Sequence, residues 1–210
     1  FSSLDAGSSI EKDEVKIGDE IFKVGSSNAG NFLGYYVNYY AKEDDNGINR
    51  TLILVRPEKT RNDVLTVDTE NIEKATKDEL SYWVDKEKDT TAKTAKLSAD
   101  AKMVYNGVGI TFDSELLSDE IAGTIKLLET TGDSRYDVIF VDEIKNLVVE
   151  DIIESAHKVT DKFGNPSLTL DPEDTEVSFV MADKNGESVK LTDLKEWDVL
   201  TYTISKDNSL

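Results

Sequence analysis

Apolar and polar residues alternate with a period of two along much of this chain. Residues 37–41, 138–141 and 177–181 are rich in β-branched and aromatic side chains. Short runs of this kind, separated by turn residues, are typical of antiparallel sheets. The pattern predicts an all-β protein with little helix. The apolar members of these runs predict a core that includes Val37, Leu54, Ile139, Val141, Phe179 and Trp197.

Turn residues separate the strand-like runs. Residues tolerant of positive φ stand between such runs at 45–47, 131–133, 162–165 and 183–186. Two stretches, 69–80 and 114–122, allow helix instead, and in the first of them Ile72 and Leu80 fall near one helical face. Alternation at 80–84 then favours a strand, so we expect at most a turn or two of helix in either stretch.

The chain also resembles itself. The sequence 34–55 has the same order of strand, polar turn and strand as 123–141, and each is preceded by another strand pattern, at 14–17 and at 102–107. A third copy begins at 177 and stops near Leu200. These matches predict a duplicated β unit of roughly 85 to 90 residues. The alternative is that antiparallel hairpins look alike in general.

These observations predict two small antiparallel β-barrel or β-sandwich domains formed by an internal duplication. We expect residues 1–9 to be a flexible N-terminal segment, 10–100 to form the first domain, and 101–210 to form the second, cut short at its C-terminal end. The start lacks an initiator Met and an apolar signal segment, and the strand-like run 197–204 leads into a turn and stops. Both ends indicate a piece of a longer polypeptide.

Composition excludes several classes of function. With 43 Asp and Glu against 24 Lys and Arg, the net charge is −19, which disfavours binding to nucleic acid or to an anionic membrane. No apolar run approaches the roughly 18 to 20 residues that a membrane span needs, so we expect no membrane insertion. The absence of Cys excludes disulfides, zinc–thiolate sites and a cysteine nucleophile, and a single His excludes a His-rich metal centre.

Four segments carry a resemblance to a known family. Residues 100–108 (Asp-Ala-Lys-Met-Val-Tyr-Asn-Gly-Val), 132–141, 194–200 and 33–37 are similar to the long region found beside S-layer homology repeats in surface proteins of Gram-positive bacteria. The resemblance covers most of the chain, although the wall-anchoring repeat itself is absent from it. It implies an extracellular location at the bacterial cell surface, attachment through other domains of the same longer chain, and a β-rich spacer or display role.

No residue pattern predicts catalysis. Acidic pairs such as Asp142 with Glu143 are inevitable among 43 acids, and adjacent residues on a strand point to opposite faces. The sequence therefore does not favour the hypothesis of a glycosidase fragment. His157 has no Ser-His-Asp arrangement around it. We expect no catalytic residues and no cofactor.

Calcium is the one cation that the sequence favours, because it takes six to eight oxygen ligands from acidic loops. Asp44 with Asp45, and Asp133 with Asp137, supply such oxygens. Neither segment has the spacing of a twelve-residue calcium loop, and both are read first as hairpin turns. We expect at most a weakly bound calcium ion at these residues.

Tyr35, Tyr36, Tyr39 and Tyr40 form an aromatic cluster. Strand alternation sends Tyr35 and Tyr39 to one face and Tyr36 and Tyr40 to the other, so one pair is expected to pack inward. The outward pair could stack on sugar rings or cover an interface. The leading prediction is a non-enzymatic spacer of a surface protein, and the alternative is a module that binds carbohydrate or a cell-wall polysaccharide.

Overall fold

The computed structural model describes residues 4, 10, 11, 13–44, 50–206 and 208. About 46% of the described residues are in strands and 8% are helical, and the sheets curl into half-barrels. The predicted all-β fold class is therefore confirmed. The helices within the described residues are single 3-10 turns at Ala29–Phe32, Thr69–Asn71, Ser114–Leu116, Glu154–Ala156 and Leu191–Asp193.

The two stretches that allowed helix are strand or loop beyond one such turn each. After Thr69–Asn71 the chain continues as β-strand, because Ile72 and Leu80 enter a hairpin and both become buried. None of the helices in the described part of the chain is long and apolar enough to cross a membrane.

The chain divides into two compact units, 1–142 and 143–210. The predicted division between residues 100 and 101 falls inside the single strand Lys93–Tyr105. This strand pairs within one sheet on both sides of that position, at residues 93–97 and at residues 102–105. The compact units divide further along the chain. The expectation for residues 1–9 concerns residues that, apart from Leu4, lie outside the described part.

The first unit contains a four-stranded sheet in the order β1-β2-β4-β3. Its strands are β1 (Glu14–Ile17), β2 (Glu20–Lys23), β3 (Val37–Glu43) and β4 (Arg50–Pro57). One side of the sheet carries a core cluster of Phe22, Ala29, Leu52 and Val55, with Val37 partly buried against it. The β2–β4 pair is parallel, and the neighbouring pairs are antiparallel.

A bulge in β4 changes which of its residues are buried. Tyr40 pairs with Leu54 and Ala41 pairs with Leu52, so Ile53 is an extra residue without a partner opposite it. An extra residue interrupts the alternation of side chains. Leu52 and Val55 are consequently buried, whereas Leu54, predicted for the core, is only half-buried.

The same unit contains a seven-stranded sheet in the order β5-β10-β11-β8-β7-β6, with β9 paired to β8. The strands are β5 (Asp63–Asp68), β6 (Ile72–Ala75), β7 (Glu79–Tyr82), β8 (Lys93–Tyr105), β9 (Val108–Ile110), β10 (Gly123–Glu129) and β11 (Tyr136–Glu143). The pairs β5–β10, β6–β7, β7–β8 and β8–β9 are antiparallel, whereas β8 and β11 run in parallel.

This sheet buries the largest core of the molecule. Ile139 and Val141, both predicted for the core, have no exposed surface and pack with Leu97, Met103 and Ile125. The predicted duplication equates residues 52–55 of β4 with 138–141 of β11. Each segment lies between its hairpin partner and an earlier strand that runs parallel to it. The duplication itself stays a prediction.

The second unit contains a four-stranded sheet in the order β14-β13-β12-β15. Its strands are β12 (Lys145–Ile153), β13 (Lys158–Asp161), β14 (Leu168–Thr169) and β15 (Val199–Tyr202). Its core cluster consists of Leu147, Val149 and Val159, with Leu200 and Tyr202 of β15 packed against it.

Two core predictions fail in this second unit. Residues 171–198 contain one 3-10 turn and one isolated bridge between Ala182 and Ser188, so the strand-like run 177–181 forms no strand. Phe179 is half-buried. Trp197 is 61% exposed because it occupies a turn at φ +74°, where Trp197 and Asp198 both lie opposite Val149. This bulge turns the indole away from the core.

Candidate functional site

Tyr35 and Tyr36 precede β3 and have different surroundings. Tyr35 is partly buried against the cluster that contains Val138 and Phe140, with the Lys126 Nζ 5.7 Å from its ring centroid. Tyr36 is exposed, but the Arg61 guanidinium carbon lies 4.0 Å from its ring centroid and covers one face. Both rings therefore have a cation close to one face, and they differ in burial, since Tyr35 packs in an apolar cluster and Tyr36 is exposed.

Tyr39 and Tyr40 lie next to each other on β3 and point to opposite faces of the sheet. Tyr39 contacts Phe22 edge to face, with ring centroids 5.0 Å apart, and its hydroxyl is 3.4 Å from Glu20 Oε2. Tyr40 is 70% exposed, more than the other three tyrosines. The four tyrosines therefore do not assemble into one platform, and Tyr40 is the ring most available to a ligand.

An ion pair lies beside the Tyr39 hydroxyl. Arg50 donates two hydrogen bonds to Glu20, at 3.0 and 2.8 Å, from β4 to β2. The hydrogen bond from Arg50 lowers the pKa of the Glu20 carboxyl below its ordinary value. Both side chains are well solvated, so this pair adds orientation more than stability.

The carboxylates of the turn between β10 and β11 already have partners. Asp133 Oδ1 accepts hydrogen bonds from Thr131 Oγ1 and Arg135 N, at 3.0 and 2.9 Å. Asp137 accepts from the backbone N and the Oγ1 of Thr130, at 2.8 and 2.9 Å. These hydrogen bonds stabilise the turn, which agrees with the predicted hairpin turn in this segment.

Asp44 and Asp45 are the other two calcium candidates. Asp44 makes an interaction of its own, and Asp45 lies outside the described residues. Across residues 13–44 and 50–206, no three His, Asp or Glu side chains are grouped closely enough to hold a metal ion. Weak calcium binding at Asp44, Asp45, Asp133 and Asp137 stays a prediction.

His157 pairs with a carboxylate. Its Nδ1 lies 3.1 Å from Asp171 Oδ1, and both side chains are more than a third exposed. The residue takes the left-handed conformation at φ +46°, where it ends the turn Glu154–Ala156. His157 thus belongs to a turn that leads into β13.

Asp161 is a buried carboxylate that no pattern in the sequence indicated. It is 5% exposed and accepts hydrogen bonds from the backbone N–H groups of Val148, Phe163 and Asn165, at 2.7 to 3.0 Å, and from the Asn165 side chain. Burial by itself raises the pKa of Asp161, but these hydrogen bonds outweigh it and lower the pKa below its ordinary value. The carboxylate thus joins β12 to the turn that follows β13.

Strand β11 has the longest continuous buried run of the described strands. Four consecutive residues, Val138 to Val141, are buried, and they divide between two cores. Ile139 and Val141 enter the main core on one face of the sheet, while Val138 and Phe140 pack on the other face with Leu33 and Tyr35. The continuous apolar run Val-Ile-Phe-Val is the signal for this double burial, because a strand covered on both faces loses its alternation.

β11 also carries the chain out of the first unit. It ends at Glu143, and β12 begins at Lys145, so Ile144 alone connects the two strands. β11 lies between β10 and β8, and β12 lies between β13 and β15. The chain therefore passes from an internal strand of one sheet to an internal strand of another.

Strands β5 and β11 run in the same direction on either side of β10. β5 and β10 are antiparallel over six residue pairs, from Asp63 opposite Glu129 to Asp68 opposite Thr124. β10 and β11 are neighbours joined by residues 130–135, a connection too short for a parallel crossover, so they are antiparallel as well. A pull on the start of β5 and on the end of β11 would act lengthwise along all three strands.

Comparison of the chain with protein-family models, with curated proteins and with solved structures gives no match.

Proposed function

We propose that this chain is a non-enzymatic spacer segment that resists tension, in a secreted, S-layer-associated protein of a bacterial cell surface. The observation that carries the proposal is β11, which is internal, buried on both faces and joined through Ile144 to an internal strand of the second unit. A spacer between a cell wall and a displayed module must resist tension along its chain. The sequence resemblance to the region beside S-layer homology repeats supports the location.

The arrangement of β5, β10 and β11 gives this proposal a mechanical basis. Tension between Asp63 and the end of β11 loads the hydrogen bonds of β5, β10 and β11 at the same time, as a shear. Tension between Asp68 and Thr124, which are opposite each other, loads the β5–β10 bonds one after another from one end. Shear needs many bonds to fail together, so its barrier to forced unfolding is higher.

Single-molecule pulling through introduced cysteines tests the proposal. The chain has no Cys of its own, so each attachment is unambiguous. One variant carries Asp63→Cys and Asp142→Cys and is pulled in shear. The matched control carries Asp68→Cys and Thr124→Cys, and the pull there loads only the β5–β10 pair, starting from one end.

If the spacer resists tension, the rupture force at one pulling rate should be clearly higher for the Asp63/Asp142 attachment than for the Asp68/Thr124 attachment. Equal forces, or a lower force in shear, would remove the mechanical basis for a spacer. Urea denaturation of both variants without load must give the same stability, because a difference there would reflect the substitutions instead of the direction of pull.

A second candidate function is binding of carbohydrate or cell-wall polysaccharide. The observation that favours it is Tyr40, which is exposed beside the exposed, bulged Ile53. An aromatic ring with an apolar neighbour on a sheet surface can stack on a sugar ring. Binding to isolated cell wall and to a glycan array should then be lost in Tyr40→Ser and retained in Tyr36→Ser, whose ring is covered by Arg61.

A further inference from the structure

One sheet edge of the second unit lacks the usual protection against added strands. The outer strands in the described part of the chain are β1, β3, β5, β6, β9, β14 and β15. β1, β3, β5 and β6 carry charged residues, and β9 and β14 are only three and two residues long. β15, with the sequence Val-Leu-Thr-Tyr, has no charge and is four residues long. Natural edge strands are commonly protected by charge, shortness or covering elements, so β15 stands out.

The register of β15 shows which of its backbone groups face outward. Val149 exchanges hydrogen bonds with Trp197 and Asp198, and the next bonded residues opposite β12 are Leu200 and Tyr202. In an antiparallel ladder every second residue bonds to the partner strand. The backbone N–H and C=O groups of Val199 and Thr201 therefore point away from β12, where an additional strand would bind.

An open groove runs beside this edge within the second unit. Its volume is about 1160 Å³, and it is lined on one side by residues 177–184 and on another by residues 198–204. Apolar side chains dominate the lining, with Val177, Phe179 and Met181 at alternate positions. Val180 of the same segment is 94% exposed. The groove thus offers apolar contacts beside a free row of backbone hydrogen-bonding groups.

The charges at the groove indicate the chemistry of its occupant. Asp183, Asp193 and Asp198 line it, against one cation, Lys184. Turn hydrogen bonds from backbone N–H groups hold the three carboxylates in place. A second copy of this chain brings a net charge of −19, which opposes its approach. A segment with Lys or Arg near its ends is complementary to this rim.

We propose that the β15 edge and the adjoining groove bind an extended strand of a partner protein, with apolar side chains at alternate positions and basic residues at its ends. The strand would pair with the outward groups of Val199 and Thr201 and place its side chains in the groove. Main-chain bonds would supply affinity and the pocketed side chains selectivity, as in other cases of β-strand addition.

A synthetic peptide of the sequence Lys-Thr-Val-Thr-Val-Thr-Val-Thr-Lys provides the probe. Titrated into the full chain, it should slow hydrogen exchange of the Val199 and Thr201 amides at least about tenfold at saturation. The same peptide with methylated backbone nitrogens should not bind, because it cannot donate to the edge. The peptide with Glu at both ends should bind at least about tenfold more weakly at low salt.

Two substitutions at one position test the edge from the side of the protein. Thr201→Pro removes an outward N–H and leaves the bonds of Leu200 and Tyr202 to β12, and proline is tolerated on edge strands. Thr201→Val keeps the N–H. Both variants lose the 2.9 Å hydrogen bond between Thr201 Oγ1 and Asn146 Oδ1, so they form a matched pair.

The proposal expects Thr201→Pro to raise the dissociation constant at least about tenfold, the effect of one hydrogen bond, and Thr201→Val to bind like the unaltered chain. Equal binding by both variants, or no binding of the Lys-ended peptide at millimolar concentration, would overturn it. So would concentration-dependent dimerisation that protects Val199 and Thr201 without peptide, since the occupant would then be a second copy. These outcomes leave the spacer proposal untouched, because the pulling experiment concerns the first unit.

Discussion

Gly34 gives a test of how closely the chain before β3 packs on β11. It has φ +81°, and a Cβ added to it would lie 3.1 Å from Val138 Cγ1 and 3.3 Å from Phe140 Cζ. Gly132 has nearly the same φ, +83°, with no atom within 4 Å of an added Cβ. The two glycines share a backbone conformation and differ in the space around them.

The expected cost of Gly34→Ala is a sum of two effects. An alanine at either position adopts the left-handed region, which costs about 1–2 kcal/mol. At Gly34 the methyl group also crowds Val138 and Phe140, and overpacking a closed site costs about 1–3 kcal/mol more. Gly132→Ala should therefore destabilise the protein by about 1–2 kcal/mol, and Gly34→Ala by about 2–5 kcal/mol.

Urea denaturation measures both free energies of unfolding, monitored by circular dichroism and by fluorescence in a Trp197→Phe background. Trp83, which belongs to the first unit, is then the remaining tryptophan. A double-mutant cycle adds Val138→Ala, which removes the nearest methyl group and should recover about 1 kcal/mol or more of the Gly34→Ala cost. Equal costs for Gly34→Ala and Gly132→Ala, with no coupling to Val138, would refute the packing argument.

Further predictions concern the second unit and the acidic turn. Trp197→Ala should cost about 1 kcal/mol or less, as expected for an exposed ring with a cation–π contact, whereas Leu147→Ala, at 1% exposure, should cost about 2–5 kcal/mol in urea denaturation. Because its folded pKa is lowered, Asp161 stabilises the protein above about pH 4, and this is lost as the pH falls through the folded pKa. Asp161→Asn should flatten that acid dependence, and an unchanged slope of stability against pH would contradict the assignment. Calcium should raise the melting temperature slightly, and only at millimolar metal, because Asp133 and Asp137 already have hydrogen-bond partners. An equal rise with magnesium would show charge screening alone, and a calcium-specific rise at micromolar metal would reveal a tight site at these residues.

The fold class follows from the sequence because alternation is a local property of each strand. Val37, Ile139 and Val141 face a core as their alternation predicts. The departure at Leu54 arises from pairing, since the extra residue Ile53 exists only in relation to β3. A bulge is therefore hard to find in one strand read by itself.

The run 177–181 shows that regular alternation alone does not produce a strand. Its alternation is as regular as that of β3, and yet it forms no strand within the described part of the second unit. An extended segment becomes a strand only when a neighbour accepts its hydrogen bonds. Local propensity therefore identifies segments able to pair, and long-range contacts decide which of them do so.

The candidate sites depend on strand order more than on residue type. The four tyrosines look equivalent in the sequence. In the structure, Tyr35 packs against the cluster that contains Phe140 of another sheet, and Tyr36 contacts Arg61. Neither neighbour can be predicted from local alternation. In the same way, Val-Leu-Thr-Tyr is an ordinary strand sequence until the order β14-β13-β12-β15 leaves it at an edge. Binding by strand addition is thus a property of topology: it needs an unpaired edge, an apolar groove beside it and no protecting charge, and β15 combines these three features.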